Sequence, residues 1–321
     1  MNNEYYNFIK VFAEKLIDNA YEKDNNVVVI KHYNTFEITR DDIYRLAKEY
    51  GKDRYMVFYR RFHGAEMPEA CDPFLNIIQQ MYWKYYSEKS VEEFLESFDI
   101  YSMQKSVFQT YLENSLCVRK EDLILSEVEQ EREILLETIV RILLKISKEH
   151  PIFLCINELE GASKATIEIL TRLWDSEEKG RILVLAAYND LRSVLPHVSE
   201  VWEQYIKRLE IRNSIIDASL FNVPLSEESG GIFRFHSKDI EKYIIRLNNM
   251  FQTFEFEQAF YYLGIIYKKL QLERLSIADE KRFEIIEIYA KISIYSEDIT
   301  NALLLCNSLN EICKRHTSFR M

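Results

Sequence analysis

The sequence predicts an α/β fold, a parallel five-stranded sheet with helices on both faces, followed by an all-α segment. Three observations predict it. Short, wholly apolar runs rich in β-branched residues stand at 27–30, 152–156 and 182–187, the signature of strands buried on both faces. Stretches of helical spacing separate them, which suits right-handed crossovers between parallel strands. After Pro224 strand candidates cease while helical spacing continues. The change divides the 321 residues into an α/β unit over 1–225 and a helical segment over 226–321, a length that suits two domains.

Taken in order, Phe8, Ile9, Phe12, Leu16 and Ile17 recur at helical spacing and predict an amphipathic opening helix over 4–21. Residues 27–30 make the first strand, 39–50 a helix ended by Gly51, and 55–60 the second strand. From about 74 to 149 helical spacing dominates as an insertion, and Leu135, Leu136, Ile139, Ile142, Leu143 and Ile146 form one stripe, stopped by Pro151. Residues 152–156 are the third strand, 165–174 a helix, 182–187 the fourth strand and 214–223 the last. In the helical segment Ala259 and Ala302 open two similar stretches 43 residues apart, a period suited to helix-hairpin repeats and somewhat long for the tetratricopeptide kind. An irregular helical bundle is the alternative reading.

Composition narrows the functional classes. A net charge of -11 repels nucleic-acid backbones, so direct nucleic-acid binding is not expected. The basic group Arg60, Arg61 and His63, beside Tyr59 and Phe62, could stack on bases, but a strand-end role suits so acidic a chain better. Cys71, Cys117, Cys155, Cys306 and Cys313 form no CxxC pair, which predicts a reduced, cytoplasmic setting. No apolar run approaches the roughly 20 residues that cross a bilayer, and no membrane association is expected. The histidines show no metal-ligand spacing, so no metal site is expected. The chain has 7 glycines, few for a protein that would cradle phosphate with backbone amides. The densest aromatic cluster, 81–86, points around a whole helix turn and so offers a face for a partner.

The run Ile152-Phe153-Leu154-Cys155-Ile156-Asn157-Glu158-Leu159-Glu160-Gly161-Ala162-Ser163, followed by a Leu- and Ile-rich helix, resembles the Walker B strand of the MalT/LuxR-type signal-transduction ATPases (STAND, AAA-like). The run 181–190, ending Tyr188-Asn189-Asp190, is similar to that family's sensor strand. Val223-Pro224-Leu225-Ser226-Glu227-Glu228 looks like the motif by which the family leaves its last strand. Together the three cover roughly 150–230. The resemblance implies a P-loop-NTPase-like sheet followed by tetratricopeptide-like helices, and a phosphate loop after the first strand.

Aligned on that strand, His32 and Glu37 stand where GxxxxGKT has its glycines and Ile38 where it has lysine; Thr39 alone is retained. An intact loop uses glycine to converge backbone N–H groups on phosphate, lysine to neutralise charge, and Ser or Thr to hold Mg²⁺. Asn157 takes the place of the metal-directed aspartate, and Glu158 that of the residue that orients the attacking water. The resemblance therefore implies a vestigial nucleotide site of Thr39, Arg40, Asn157 and Asn189, with Glu158 an inactive catalytic residue. Ile38 and Phe36 are expected to fill the former phosphate cavity.

The function expected is a regulatory pseudo-ATPase in signalling or transcription control, which acts through protein or ligand contacts and needs no cofactor. Its partner is expected to be another protein or a further copy of the chain. Two alternatives stay open: a slow nucleotide switch or ATPase binding ATP and Mg²⁺, in which Arg40 replaces the lysine, and a helical-repeat scaffold without any ligand in the cleft.

Overall fold

The computed structural model describes residues 10, 26–33, 38–51, 55–62, 64, 66–98, 100, 102–113, 127–178, 180–218, 233–272 and 277–315. The opening helix over 4–21, residue 10 apart, Phe36, Glu37, His63, Cys117 and the 223–228 motif lie outside the described residues.

Five parallel strands form one sheet: β1 (Asn26–His32), β2 (Met56–Arg61), β3 (Ile152–Asn157), β4 (Ile182–Asn189) and β5 (Ile215–Asp217), in the order β2-β3-β4-β1-β5. The two strands at its heart, β3 and β4, are buried at every position, as their unbroken apolar sequences require. Their side chains divide by parity. Leu154, Ile156, Val184 and Ala186 enter one cluster with Val27 and Val29 of β1; Phe153, Cys155, Leu183, Leu185 and Ala187 enter a second with Ile30. On the second face lies α1 (Arg40–Gly51), which contributes Ile43, Leu46 and Ala47.

Between β2 and β3 the chain runs through α2 (Phe74–Met81), a π turn (Tyr82–Tyr86), α3 (Val91–Glu96), α4 (Ser102–Glu113) and α5 (Val128–Glu149). Ser90 starts α3 with a capping box, its hydroxyl accepting from the Glu93 N–H while the Glu93 carboxylate accepts from the Ser90 N–H. All six stripe residues of α5, Leu135 to Ile146, are buried. Burial of each such side chain contributes about 1.5–3 kcal/mol. Of the aromatic cluster, Tyr82 turns inward while Trp83 and Tyr85 stay exposed, Tyr85 stacked on His150.

After β3 come α6 (Lys164–Asp175), capped by Ser163, then β4, α7 (Ser199–Ile211) and β5. Helix α7 had no expectation in the sequence; Tyr205 and Leu209 anchor it. The helical segment holds α8 (Ile240–Gln252), α9 (Phe256–Leu272), α10 (Asp279–Tyr295) and α11 (Ile299–Arg315), each packed on the next, with α8 also against α10. Its first helices grip the sheet unit. Arg246 donates to the Met67 carbonyl, Glu255 accepts from the Cys71 N–H at 2.7 Å, and Lys164 pairs with Glu257 at 2.9 Å. One buried cluster runs from the sheet into α8, α9 and α10. Among the described residues no helix is long and apolar enough to cross a membrane.

Two glycines sit in opposite circumstances. A Cβ on Gly161, in the turn after β3, would lie 2.9 Å from the Phe62 carbonyl oxygen and 3.2 Å from its Cβ; on Gly264, inside α9, it would meet nothing closer than the Tyr289 hydroxyl at 3.6 Å. Gly161→Ala is expected to destabilise by about 1–3 kcal/mol through backbone displacement, and Gly264→Ala to stabilise by up to about 1 kcal/mol through helix propensity. Urea denaturation of the two variants, with opposite shifts in midpoint, checks the contrast.

Candidate functional site: the strand ends

The strand order brings the C-terminal ends of β1, β3 and β4 side by side, with His32 level with Asn189 and the Asp190 N–H donating to the His32 carbonyl at 2.8 Å. The open end of a parallel sheet is where such folds bind ligands. All the residues expected at the site lie on this edge or on the turn into α1, and each is engaged with a neighbour of its own.

Asn157 ends β3 and is 1% exposed. Its Oδ1 accepts from the Ile38 N–H at 3.2 Å, and its Nδ2 donates to the Ile38 carbonyl at 2.7 Å and to the Tyr59 hydroxyl at 2.9 Å. A carboxamide carries both donor and acceptor, so it can close this pair on one residue's backbone; a carboxylate, which only accepts, cannot. Asn157 is thus a clamp on the turn into α1. Ile38, held by it, is fully buried and packs with Ile30, Ile43 and Phe153.

Thr39 precedes the first turn of α1. Its hydroxyl donates to Asp42 Oδ2 at 2.6 Å and accepts from the Asp42 N–H at 3.2 Å, a helix cap. The positive end of the α1 dipole is met by Asp41 and the buried carboxylate of Asp42. An anion brought to this helix terminus would face those carboxylates. Arg40 is exposed and lies over the Tyr44 ring, its guanidinium 5.4 Å from the centroid, while Lys31 pairs with Asp190 at 2.8 Å.

Glu158 follows in the left-handed backbone region, φ 54. Its carboxylate lies between Arg61 at 3.1 Å and Arg192 at 3.0 Å. Burial pushes its carboxyl up, but the hydrogen bonds and charges of the two guanidiniums outweigh that and hold it below the ordinary range. A general base works best with a pKa near the working pH, and Glu158 is fixed as a structural anion. The basic pair that ends β2 is committed in the same way, Arg60 to Asp72 at 2.6 Å and Arg61 to Glu158. Asn189 spends its side chain locally: Oδ1 accepts from the Leu191 N–H at 2.9 Å, and its own N–H donates to Glu160 Oε2 at 3.1 Å.

Glu160 escaped the sequence reading. It is 5% exposed, and Arg192 reaches it at 3.3 Å. Burial drives its carboxyl up to about 7 despite that guanidinium. The acids of Glu158 and Glu160 were visible in sequence, but Arg192 lies more than thirty positions away and nothing linear ties it to them. The role of Tyr59 was missed for the same reason, 98 positions from Asn157, whereas Asp42 stands three residues from Thr39 at cap spacing. Among the described residues no group of three or more His, Cys, Asp or Glu is placed to hold a metal. No family model matches the chain, and no curated protein matches it.

Asn157→Asp, the residue type that the family resemblance implies at this position, is expected to cost about 2–4 kcal/mol, because a buried carboxylate would face the Ile38 carbonyl and lose the donor role. Denaturant unfolding at neutral pH measures it. Glu160 gives a pH signature. Its folded pKa lies above the unfolded value, so its stabilisation is complete below the ordinary carboxylate range and is lost as pH rises through about 7. Between about pH 5 and about pH 8 the wild type should lose on the order of 2 kcal/mol relative to Glu160→Gln, which cannot titrate. Parallel unfolding profiles for the two proteins would contradict this assignment.

Proposed function

We propose that the chain is a regulatory pseudo-ATPase: a P-loop-NTPase-like α/β unit of the MalT/LuxR signal-transduction type that has given up nucleotide chemistry and acts in the cytoplasm through protein or ligand contacts. The carrying observation is the Asn157 clamp on Ile38, which directs inward the groups that would otherwise meet metal and phosphate. The strand order supports the reading, since it sets the former loop strand, the Asn157 strand and the Asn189 strand next to one another. The cap made by Thr39 and Asp42 and the pairing of Arg61 and Arg192 with Glu158 support it further.

The helices after 233 suit tetratricopeptide-like repeats. Helices α9 and α11 are of equal length, and Ala259 and Ala302, small residues near their starts, are both buried where helices meet. Such repeats present surfaces to other proteins, and the exposed Trp83 and Tyr85 are a second face of that kind. Nucleic acid is not a partner in this reading.

Thermal melting with millimolar ATP and Mg²⁺ tests it. A nucleotide at a hundred times its Kd would stabilise by about 2.7 kcal/mol; no change in Tm is expected, for the wild type or for Ile38→Lys, in which the loop glycines are still missing. ATP turnover by the wild type that disappears in Glu158→Gln would overturn the proposal in favour of a working switch.

A further inference from the structure

A cavity of about 630 Å³ opens on the far side of Glu160, in the seam between the sheet unit and the helical segment. That volume lies within the range of small-molecule sites. Four aromatic rings line it: Phe62 after β2, Phe233 ahead of α8, and Tyr261 and Tyr262 on α9. Glu160 and Arg192 supply its charged wall, Glu66 stands at its margin, and Leu191 on its lip is 74% exposed. Three elements that are distant in sequence therefore meet around one space.

The charges decide what the space accepts. Arg192 is divided between Glu158 at 3.0 Å and Glu160 at 3.3 Å, and Arg61 is engaged with Glu158. Of the described residues that line the cavity, Glu66 and Glu160 are acidic and Arg192 is basic. Aromatic ring faces attract cations through their quadrupole and repel anions. A buried carboxylate gains from an added counter-ion, and burial raises the Glu160 carboxyl to about 7 even with Arg192 beside it.

We propose that this cavity binds a small organic cation, an ammonium or guanidinium group on an apolar body, with Glu160 as its counter-ion and the four aromatic rings around it. The ligand touches the loop after β4, the loop after β2 and α9 together, so its occupancy adds to the contacts that hold the helical segment on the sheet unit. The proposal deepens the regulatory reading by naming the ligand class, but stands on the cavity's own chemistry. ATP binding would remove the pseudo-ATPase reading and leave this one intact, and failure of the cation would do the reverse.

Isothermal titration with 2-phenylethylammonium and 2-phenylethylguanidinium, set against the anion 3-phenylpropanoate, tests it. At least one cation should bind about tenfold more tightly than the anion. Glu160→Gln should weaken that cation about tenfold while the affinity for the anion does not fall. Because Glu160 also accepts from the Asn189 backbone, a second variant that leaves this carboxylate alone is needed. Ser193→Trp, from an exposed position on the lip, should abolish cation binding with an unchanged Tm. No binding of either cation at ~10 mM, equal binding of the anion, or cation affinity unaltered in both variants would overturn the proposal.

Discussion

A parallel sheet covered on both faces delivers the C-terminal ends of all its strands to one edge, and the polar groups gathered there must be satisfied by the protein or by something it binds. In this protein β1, β3 and β4 arrive together, and the protein itself satisfies most of the groups they bring. Asn157 closes on the Ile38 backbone, Thr39 and Asp42 close on each other, and Asn189 and Glu160 share a hydrogen bond across the turn. The remaining arrangements at the edge, including the acids around Arg192, follow from that closure.

The physical contrast with a phosphate site lies in where donors point. Phosphate binding needs several backbone N–H groups, a cation and a helix N-terminus left available to an anion. Here the Ile38 N–H is taken by a side chain, the cations at the edge are held by carboxylates, and the helix terminus carries its own acids. Each of these contacts is modest, about 0.5–1.5 kcal/mol for a neutral hydrogen bond. They are mutually dependent, however, because releasing Asn157 leaves the Ile38 carbonyl and the Tyr59 hydroxyl without this donor in a buried place. Opening the edge to a ligand would therefore require several changes at once.

The grip of the helical segment on the sheet unit has a similar character. Fully buried Glu255 accepts from the Cys71 N–H and from the Thr253 hydroxyl, and its carboxyl is raised by burial. Arg246 reaches back to the 67–69 stretch, where it meets both a carbonyl and Glu69. These polar contacts sit inside a continuous apolar cluster, which gives the seam one preferred geometry. The cavity beside Glu160 is the place where that packing is incomplete.

The amino-acid sequence by itself determined most of the described strands and helices, because periodicity is a local property: the apolar runs at 152–156 and 182–187 became wholly buried strands, and the six-residue stripe of α5 became its buried face. It also determined that the loop after β1 lacked glycine and lysine. It reached no expectation for α7, although Val201, Trp202, Tyr205, Ile206 and Leu209 recur there at helical spacing, and it gave no sign of Glu160 as a distinct acid. What only the tertiary structure decided is the use to which each polar group is put. Asn157 and Ile38 are 119 positions apart, and Arg192 stands 34 from Glu158 and 32 from Glu160. A side chain's residue type fixes what it can donate or accept, while its partner is fixed by which strand ends the sheet order places together.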